Sequence, residues 1–156
     1  MTYVFDGSPL STLHRNYYRD IFPTLWEGFD KLVEDGEILS TREVLRELRR
    51  YNLEPLLEWA KANEVLFPAP TRDETAFVAR IFEVRHFQNN IEGKKLLSGG
   101  YVADPFIIAR AAVTKSTVVS METFKENAAD IPNICEHFQI PHFSLAQFMK
   151  AESWKF

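Results

Sequence analysis

The period of apolar and polar positions changes repeatedly along the chain, and each change marks a short element. Thr2-Tyr3-Val4-Phe5 is a largely apolar run closed by Asp6-Gly7-Ser8-Pro9, which predicts a strand ended by Gly7 and Pro9. Leu13 to Phe22 reads as a polar, aromatic-rich passage. Leu25, Trp26, Phe29, Leu32 and Val33 then recur at helical spacing, with Thr24 as the predicted cap and Asp35-Gly36 as the stop. Phe22, Trp26 and Phe29 form an aromatic stripe whose expected place is the core, part of it available to a partner or dimer mate. A brief strand is expected over Glu37 to Leu39. A helix capped by Thr41 follows from Arg42 to about Tyr51, with Val44, Leu45 and Leu48 inward.

Glu54 to Ala62 is a further amphipathic helix. Val65-Leu66-Phe67 is a short apolar segment ended by Pro68 and Pro70. Asp73 to about Phe87 predicts a long helix burying Phe77, Val78, Ile81 and Phe82, and Asn89 to Leu97 a weaker one before a turn at Ser98-Gly99-Gly100. Asp104-Pro105 opens a helix with Asp104 at the cap and Phe106, Ile107, Ile108, Ala109, Ala112 and Val113 as its apolar residues. Thr117-Val118-Val119-Ser120 is a β-branched run of the buried-strand kind. A polar loop carries Glu122 and Asp130, Ile131-Pro132 opens a helix through Phe138, Ile140 to Phe143 is a final strand, and Ser144 caps the closing helix, Leu145 to Lys150. Strands alternating with helices predict an α/β sandwich with a mainly parallel sheet.

Composition narrows the class. The chain of 156 residues suits one domain, 1–156, and its 46% hydrophobic and 26% charged residues exclude a disordered chain. A single cysteine, Cys135, excludes an internal disulfide framework and a multi-thiolate metal site. The net charge of −4 argues against a basic nucleic-acid coat but not against local contact with nucleic acid. The N-terminus has no basic, apolar leader pattern and no window is apolar enough to span a membrane, so a soluble, cytoplasmic protein is expected.

The acidic residues carry the chemistry. In open parallel sheets, ligands bind beyond the carboxyl ends of the strands. Asp6 and Glu122 follow the two apolar strands, and Asp104 starts the helix leading into the second. Glu43 and Glu47 share a face of the helix from Arg42, four positions apart. Carboxylates gathered in one pocket raise one another's pKa unless a cation neutralises them. Mg²⁺ or Mn²⁺ suits such oxygen ligands, activates water and stabilises displacement at phosphorus. Metal-dependent phosphodiester hydrolysis is the chemistry this spacing allows; taken singly, Asp6 also suits a turn, Asp104 a helix cap, and Glu43 and Glu47 a solvated face.

Together these segments resemble the PIN-domain family, the fold of VapC-type toxin ribonucleases. The likeness rests on Tyr3-Val4-Phe5-Asp6-Gly7-Ser8, Val44-Leu45-Arg46-Glu47-Leu48, Ala103-Asp104-Pro105-Phe106-Ile107-Ile108-Ala109 and Val118-Val119-Ser120-Met121-Glu122, in that order over nearly the whole chain. Leu57-Glu58-Trp59-Ala60, Ile131-Pro132-Asn133-Ile134-Cys135 and Phe138-Gln139-Ile140 resemble a little-characterised bacterial branch of PIN-like proteins. The resemblance implies a PIN-like α/β/α sandwich and a metal-dependent endoribonuclease, the toxin of a toxin–antitoxin pair, with an RNA substrate, a cognate antitoxin and a homodimer as partners. Carried over by position, Asp6, Glu47, Asp104 and Glu122 are the metal-binding acids, Ser8 and Ser120 support them, and Glu43 is the alternative to Glu47. Two positions depart from the pattern: Gly7 stands where the family commonly has Thr, and Glu122 where it often has Asp. These departures keep a second reading open, a catalytically weak or inactive PIN-fold module acting through a protein partner.

Arg46, Arg49 and Arg50 make the helix from Arg42 locally positive and are candidates for RNA phosphates; Lys94, Lys95, Arg110 and Lys115 are weaker ones. Cys135, His137 and His142 match no zinc spacing, and a core cysteine with surface histidines is expected instead. No G-x-S-x-G elbow or G-x-x-x-x-G-K-[ST] loop is present. Haloacid-dehalogenase phosphatases require a second Asp where this chain has Ser8, and the paired acids of a response-regulator receiver are missing.

Overall fold

The computed structural model describes residues 1–90, 92 and 102–156. Its centre is an all-parallel sheet in the order β2-β1-β3-β4, built from β1 (Tyr3–Phe5), β2 (Ile38–Leu39), β3 (Thr117–Val119) and β4 (His142–Phe143). Tyr3 pairs with Ile38 on one side and Thr117 on the other; Val118 pairs with His142. β1 and β3 are buried along their whole length, which explains why their sequences are apolar runs without alternation. Helices α1 (Gly7–Asn16), α2 (Pro23–Glu34), α3 (Arg42–Leu48), α4 (Glu54–Ala62), α5 (Arg72–Glu83), α6 (Asp104–Thr114), α7 (Ile131–His137) and α8 (Leu145–Ala151) flank it. The expected α/β/α architecture with a parallel sheet is therefore present.

The core is aromatic at its centre. Phe148 meets Tyr3 and Phe5 edge-on, with ring centroids 4.8 and 5.0 Å away, and Phe5 meets Phe29 at 5.7 Å. Such edge-to-face pairs add to the large area that aromatic side chains bury. One buried cluster runs from Tyr3 through Phe29, Leu48, Ile81 and Ile108 to Phe148 and so joins the sheet to helices from across the sequence. Trp26 and Phe29 lie in it and Phe22 packs against it, so the aromatic stripe is core.

Several expectations need correction. The passage after Pro9 is a helix: Asp6 caps α1 with its side chain, and Pro9 falls in the first turn, where its missing N–H breaks no intrahelical bond. Phe22, not Thr24, occupies the cap of α2, because Pro23 already takes the first helical position. Asp104 is the first residue inside α6, after Ala103 at the cap. Val65-Leu66-Phe67 contributes to a 3-10 turn over Glu64–Leu66, and the long helix from Asp73 ends at Glu83 before a second 3-10 turn, Arg85–Phe87. Val78 and Ile81 are buried, but Phe77 and Phe82 only partly. The predicted caps Thr41 and Ser144 are present, Ser144 within a full capping box. The helix expected from Asn89 to Leu97 and the Ser98-Gly99-Gly100 turn fall almost wholly outside the described residues, as do Lys94 and Lys95. Among the described residues no helix is long and apolar enough to cross a membrane.

Candidate functional site

The strand order creates the site. From β1 the chain moves to β2 on one side, and β3 later returns to the other side of β1. Connections therefore diverge at the carboxyl ends of β1 and β3 and leave a crevice there. Asp6 follows β1 directly; its N–H donates to the Val119 carbonyl at 3.0 Å, which extends the ladder into the crevice. From the neighbouring strand end, the Ser40 hydroxyl donates to the Phe5 carbonyl at 2.8 Å. These two bonds hold Asp6 in place, 93% buried by the complement of its 7% exposure.

Three acids act on Asp6 in this crevice. Burial pushes the Asp6 carboxyl well above the usual aspartate range, and Asp104, Glu47 and Glu122 push it further in the same direction. Among the described residues, the Gly7 N–H, which donates to Asp6 Oδ1 at 2.7 Å, opposes the rise. Cys135, buried beneath, reports the same field: its thiol is pushed up to about 12 by burial and then by Asp104 and Glu122.

Each remaining acid is oriented by a specific N–H donor. The Ala103 N–H donates to Glu47 Oε1 at 3.0 Å and ties α3 to the start of α6. Asn90 Nδ2 donates to Asp104 Oδ2 at 3.0 Å, while Asn90 Oδ1 is buried with no hydrogen-bond partner among the described residues. The Ile131 N–H donates to Glu122 Oε2 at 2.8 Å, so the longer Glu122 side chain reaches the first turn of α7. The Glu122 N–H in turn donates to Ser120 Oγ at 3.2 Å, and Ser120 Oγ is 2.7 Å from His142 Nε2. Burial holds His142 below its usual pKa, which keeps the imidazole neutral.

Glu47, Asp104 and Glu122 thus lie near enough to Asp6 to act on its carboxyl. Glu43 does not join them. It is buried against Arg42, whose Nη2 donates to Glu43 Oε1 at 3.1 Å, and it is not among the groups that act on Asp6. Ser8 supports the crevice indirectly, through a hydrogen bond with Tyr51. Ser120 acts through Glu122 and His142. Arg46, Arg49 and Arg50 are exposed at the end of α3 and just beyond it. The expectation of surface histidines fails at His142, which is half-buried on Ser120, but holds at His137, which is exposed with its ring edge-on to Phe87 at 5.1 Å.

Three contributors escape sequence reading: Asn90, His142 and Tyr51. Tyr51 lies beside Asp6 and Glu47, which raise its pKa after burial does. Its position beyond the last periodic residue of α3 gave it no apolar-face signal. Gly7 has a packing reason. A Cβ there would stand 3.3 Å from Leu48 Cδ2 and 3.7 Å from both Val44 Cγ1 and Tyr51 Cε2, so glycine lets α1 lie close against the helix carrying Glu47.

An all-oxygen set of carboxylates in mutual repulsion suits a hard divalent cation in its chemistry. In its present arrangement, no group of three or more His, Cys, Asp or Glu side chains among the described residues is placed to hold a metal ion. The carboxylates that would take part are turned instead onto Ala103, Asn90 and Ile131. No curated protein matches the chain. A family model does, over residues 3–156, and on that match the chain belongs to the family described as a domain of unknown function, DUF4411.

Proposed function

We propose that this protein is a metal-dependent endoribonuclease of PIN type, a phosphodiester hydrolase acting in the cytoplasm as the toxin of a toxin–antitoxin pair. The observation that carries the reading is the repulsion focused on Asp6: four acids from distant segments crowd a crevice at the sheet's switch point, and burial plus Asp104, Glu47 and Glu122 drive its carboxyl toward the neutral form. Folding alone gains nothing from that crowding. Asp6, Glu47, Asp104 and Glu122 would hold Mg²⁺ or Mn²⁺, which supplies water activation and charge neutralisation at phosphate oxygens. The chain's own groups divide the rest of the work. Asn90 aims Asp104, the Ile131 N–H aims Glu122, and Ser120 fixes the turn carrying Glu122. Arg46, Arg49 and Arg50 offer positive charge to RNA phosphates along one side.

The test uses purified protein, a panel of single-stranded RNAs and Mn²⁺ or Mg²⁺, with and without chelator. Cleavage that chelator abolishes supports the reading; no cleavage of any RNA, with no metal-dependent rise in melting temperature, rejects it.

The arrangement of the acids favours one second reading. Because no three of the described ligand-type side chains are placed to hold an ion, a PIN-fold module without catalysis, binding a protein partner such as an antitoxin or a second copy, fits the same structure. That reading expects partner binding to survive Asp6→Asn unchanged.

A further inference from the structure

Along α1 from Asp6 lies a second concave site, of about 310 Å³, lined by His14, Tyr17, Tyr18, Arg19, Asp20, Trp26 and Pro55. Its volume sits at the lower end of the ~300–1,000 Å³ that small-ligand pockets occupy. Its walls are aromatic, and one ring already bears a planar cation: the Arg19 guanidinium lies 4.1 Å over the Trp26 ring. The Trp26 indole cannot turn away, because its Nε1–H donates to the Tyr17 carbonyl at 2.6 Å. Besides that ring, Arg19 pairs with Asp30, and the two side chains are 46% and 41% exposed, so displacing it costs little.

His14 is the informative residue. It is 93% buried by the complement of its 7% exposure, and its ring lies between Trp26 and Trp59, at 4.8 and 5.3 Å. His14 Nδ1 is 2.8 Å from the Leu10 carbonyl oxygen. A carbonyl oxygen only accepts, so Nδ1 carries the proton and Nε2 presents a lone pair. Nε2 has no partner. A buried acceptor left unsatisfied is unfavourable and rare enough to need a reason. Burial also holds His14 below its usual pKa, which preserves the neutral acceptor form near neutral pH. The pocket therefore combines a stacking surface with a hydrogen-bond acceptor that lacks a donor.

We infer that this pocket binds one unstacked base of single-stranded RNA, the base replacing Arg19 against Trp26 and Tyr18 and turning an N–H edge toward His14 Nε2. The inference rests on the ribonuclease reading for its ligand class, and α1 supplies the connection. His14 lies eight positions beyond the Asp6 cap, about 12 Å along the helix axis. Exposed Arg15, the residue after His14, is close enough to influence Tyr51 at the edge of the acid crevice. A strand leaving the crevice past Tyr51 and Arg15 reaches the pocket within a short run of nucleotides. Aromatic platforms flanked by cations are how single strands are held with little sequence preference.

The experiment measures binding, not cleavage. End-labelled RNA decamers, and the same decamers with abasic positions, are titrated against the full chain in excess chelator. Tyr18→Ala, at a position 56% exposed, tests stacking without disturbing the core. His14→Phe keeps the ring and removes the acceptor, and circular dichroism checks its folding. Tyr18→Ala is expected to weaken RNA binding at least about fivefold, and His14→Phe to reduce discrimination between bases. Abasic RNA is expected to bind more weakly than intact RNA to the unaltered protein and equally to Tyr18→Ala. Equal binding of intact and abasic RNA by the unaltered protein, or unchanged binding by both variants, overturns the inference. The two readings fail separately. Pocket-dependent binding without metal-dependent cleavage rejects the nuclease and keeps the pocket. Cleavage with binding indifferent to both variants does the reverse.

Discussion

At the amino edge of the sheet, part-buried polar groups complete one another. The Thr2 and Ser116 hydroxyls bond at 2.5 Å, Ser116 also meets Thr114 at 2.7 Å, and the Tyr3 hydroxyl donates to Glu152 at 2.5 Å. At the carboxyl edge, on the same strands, Asp6 is buried among Asp104, Glu47 and Glu122, and a buried Asn90 oxygen has no partner among the described residues. The amino edge is organised as a folding chain prefers, each donor beside an acceptor. The carboxyl edge gathers like charges, which oppose folding and persist only where another demand outweighs them. The contrast separates what holds the fold from what uses it.

Removing the charge at the carboxyl edge gives the largest expected effect. Asp6→Asn should lower RNA cleavage beyond the ~10–100-fold typical of losing an outer partner of a metal ligand, and Asp104→Asn should match it. Melting temperatures in chelator should hold steady or rise in both, because a crowded carboxylate has been neutralised. An active Asp6→Asn protein would dissolve the contrast.

The packing at Gly7 tests the same edge by position. Threonine, the residue the PIN pattern prefers there, would drive a branched side chain into Leu48 and Tyr51. Gly7→Thr should destabilise by about 1–3 kcal/mol in urea denaturation and reduce activity by displacing α3 and Glu47. A stable, fully active Gly7→Thr protein would show that the close approach of α1 and α3 does not set the site.

The pH dependence sharpens the comparison further. The folded Asp6 pKa is raised above its unfolded value, so between those values the native state binds more protons. Asp6's contribution to the stability of the metal-free protein should therefore be fully present below the ordinary aspartate range and be lost as pH rises through the folded pKa. Asp6→Asn should flatten that decline, and saturating Mn²⁺ should remove it. Urea midpoints measured across the pH series in chelator would show it.

What the sequence makes legible follows the kind of signal each element carries. β1 and β3 are apolar runs, and the caps Thr41 and Ser144 are local hydrogen-bond chemistry, so both can be read from neighbouring residues. α1 is hidden because Gly7 and Pro9 resemble strand punctuation, and only the Asp6 cap shows that they open a helix. Spacing alone leaves Glu43 and Glu47 level, since both lie on one helix face; packing against Ala103 and Arg42 separates them. Asn90 meets Asp104 only through the tertiary path of the chain, and no periodicity encodes that meeting.

The smallest effect belongs to the amino edge. Tyr3→Phe removes one hydroxyl from the buried Tyr3 ring and leaves its stacking on Phe148 intact. Burial and the bond to Glu152 already hold the Tyr3 hydroxyl neutral far beyond its usual range, so no titration is lost with it. Glu152 is only half-buried and recovers water, so the cost should be about 1 kcal/mol in urea denaturation. Cleavage and metal-dependent stabilisation should not change, because β1 carries Tyr3 at one end and Asp6 at the other and the strand is not displaced. If Tyr3→Phe impaired cleavage as strongly as Asp6→Asn, the two edges would be coupled through β1 and the division between them would be wrong.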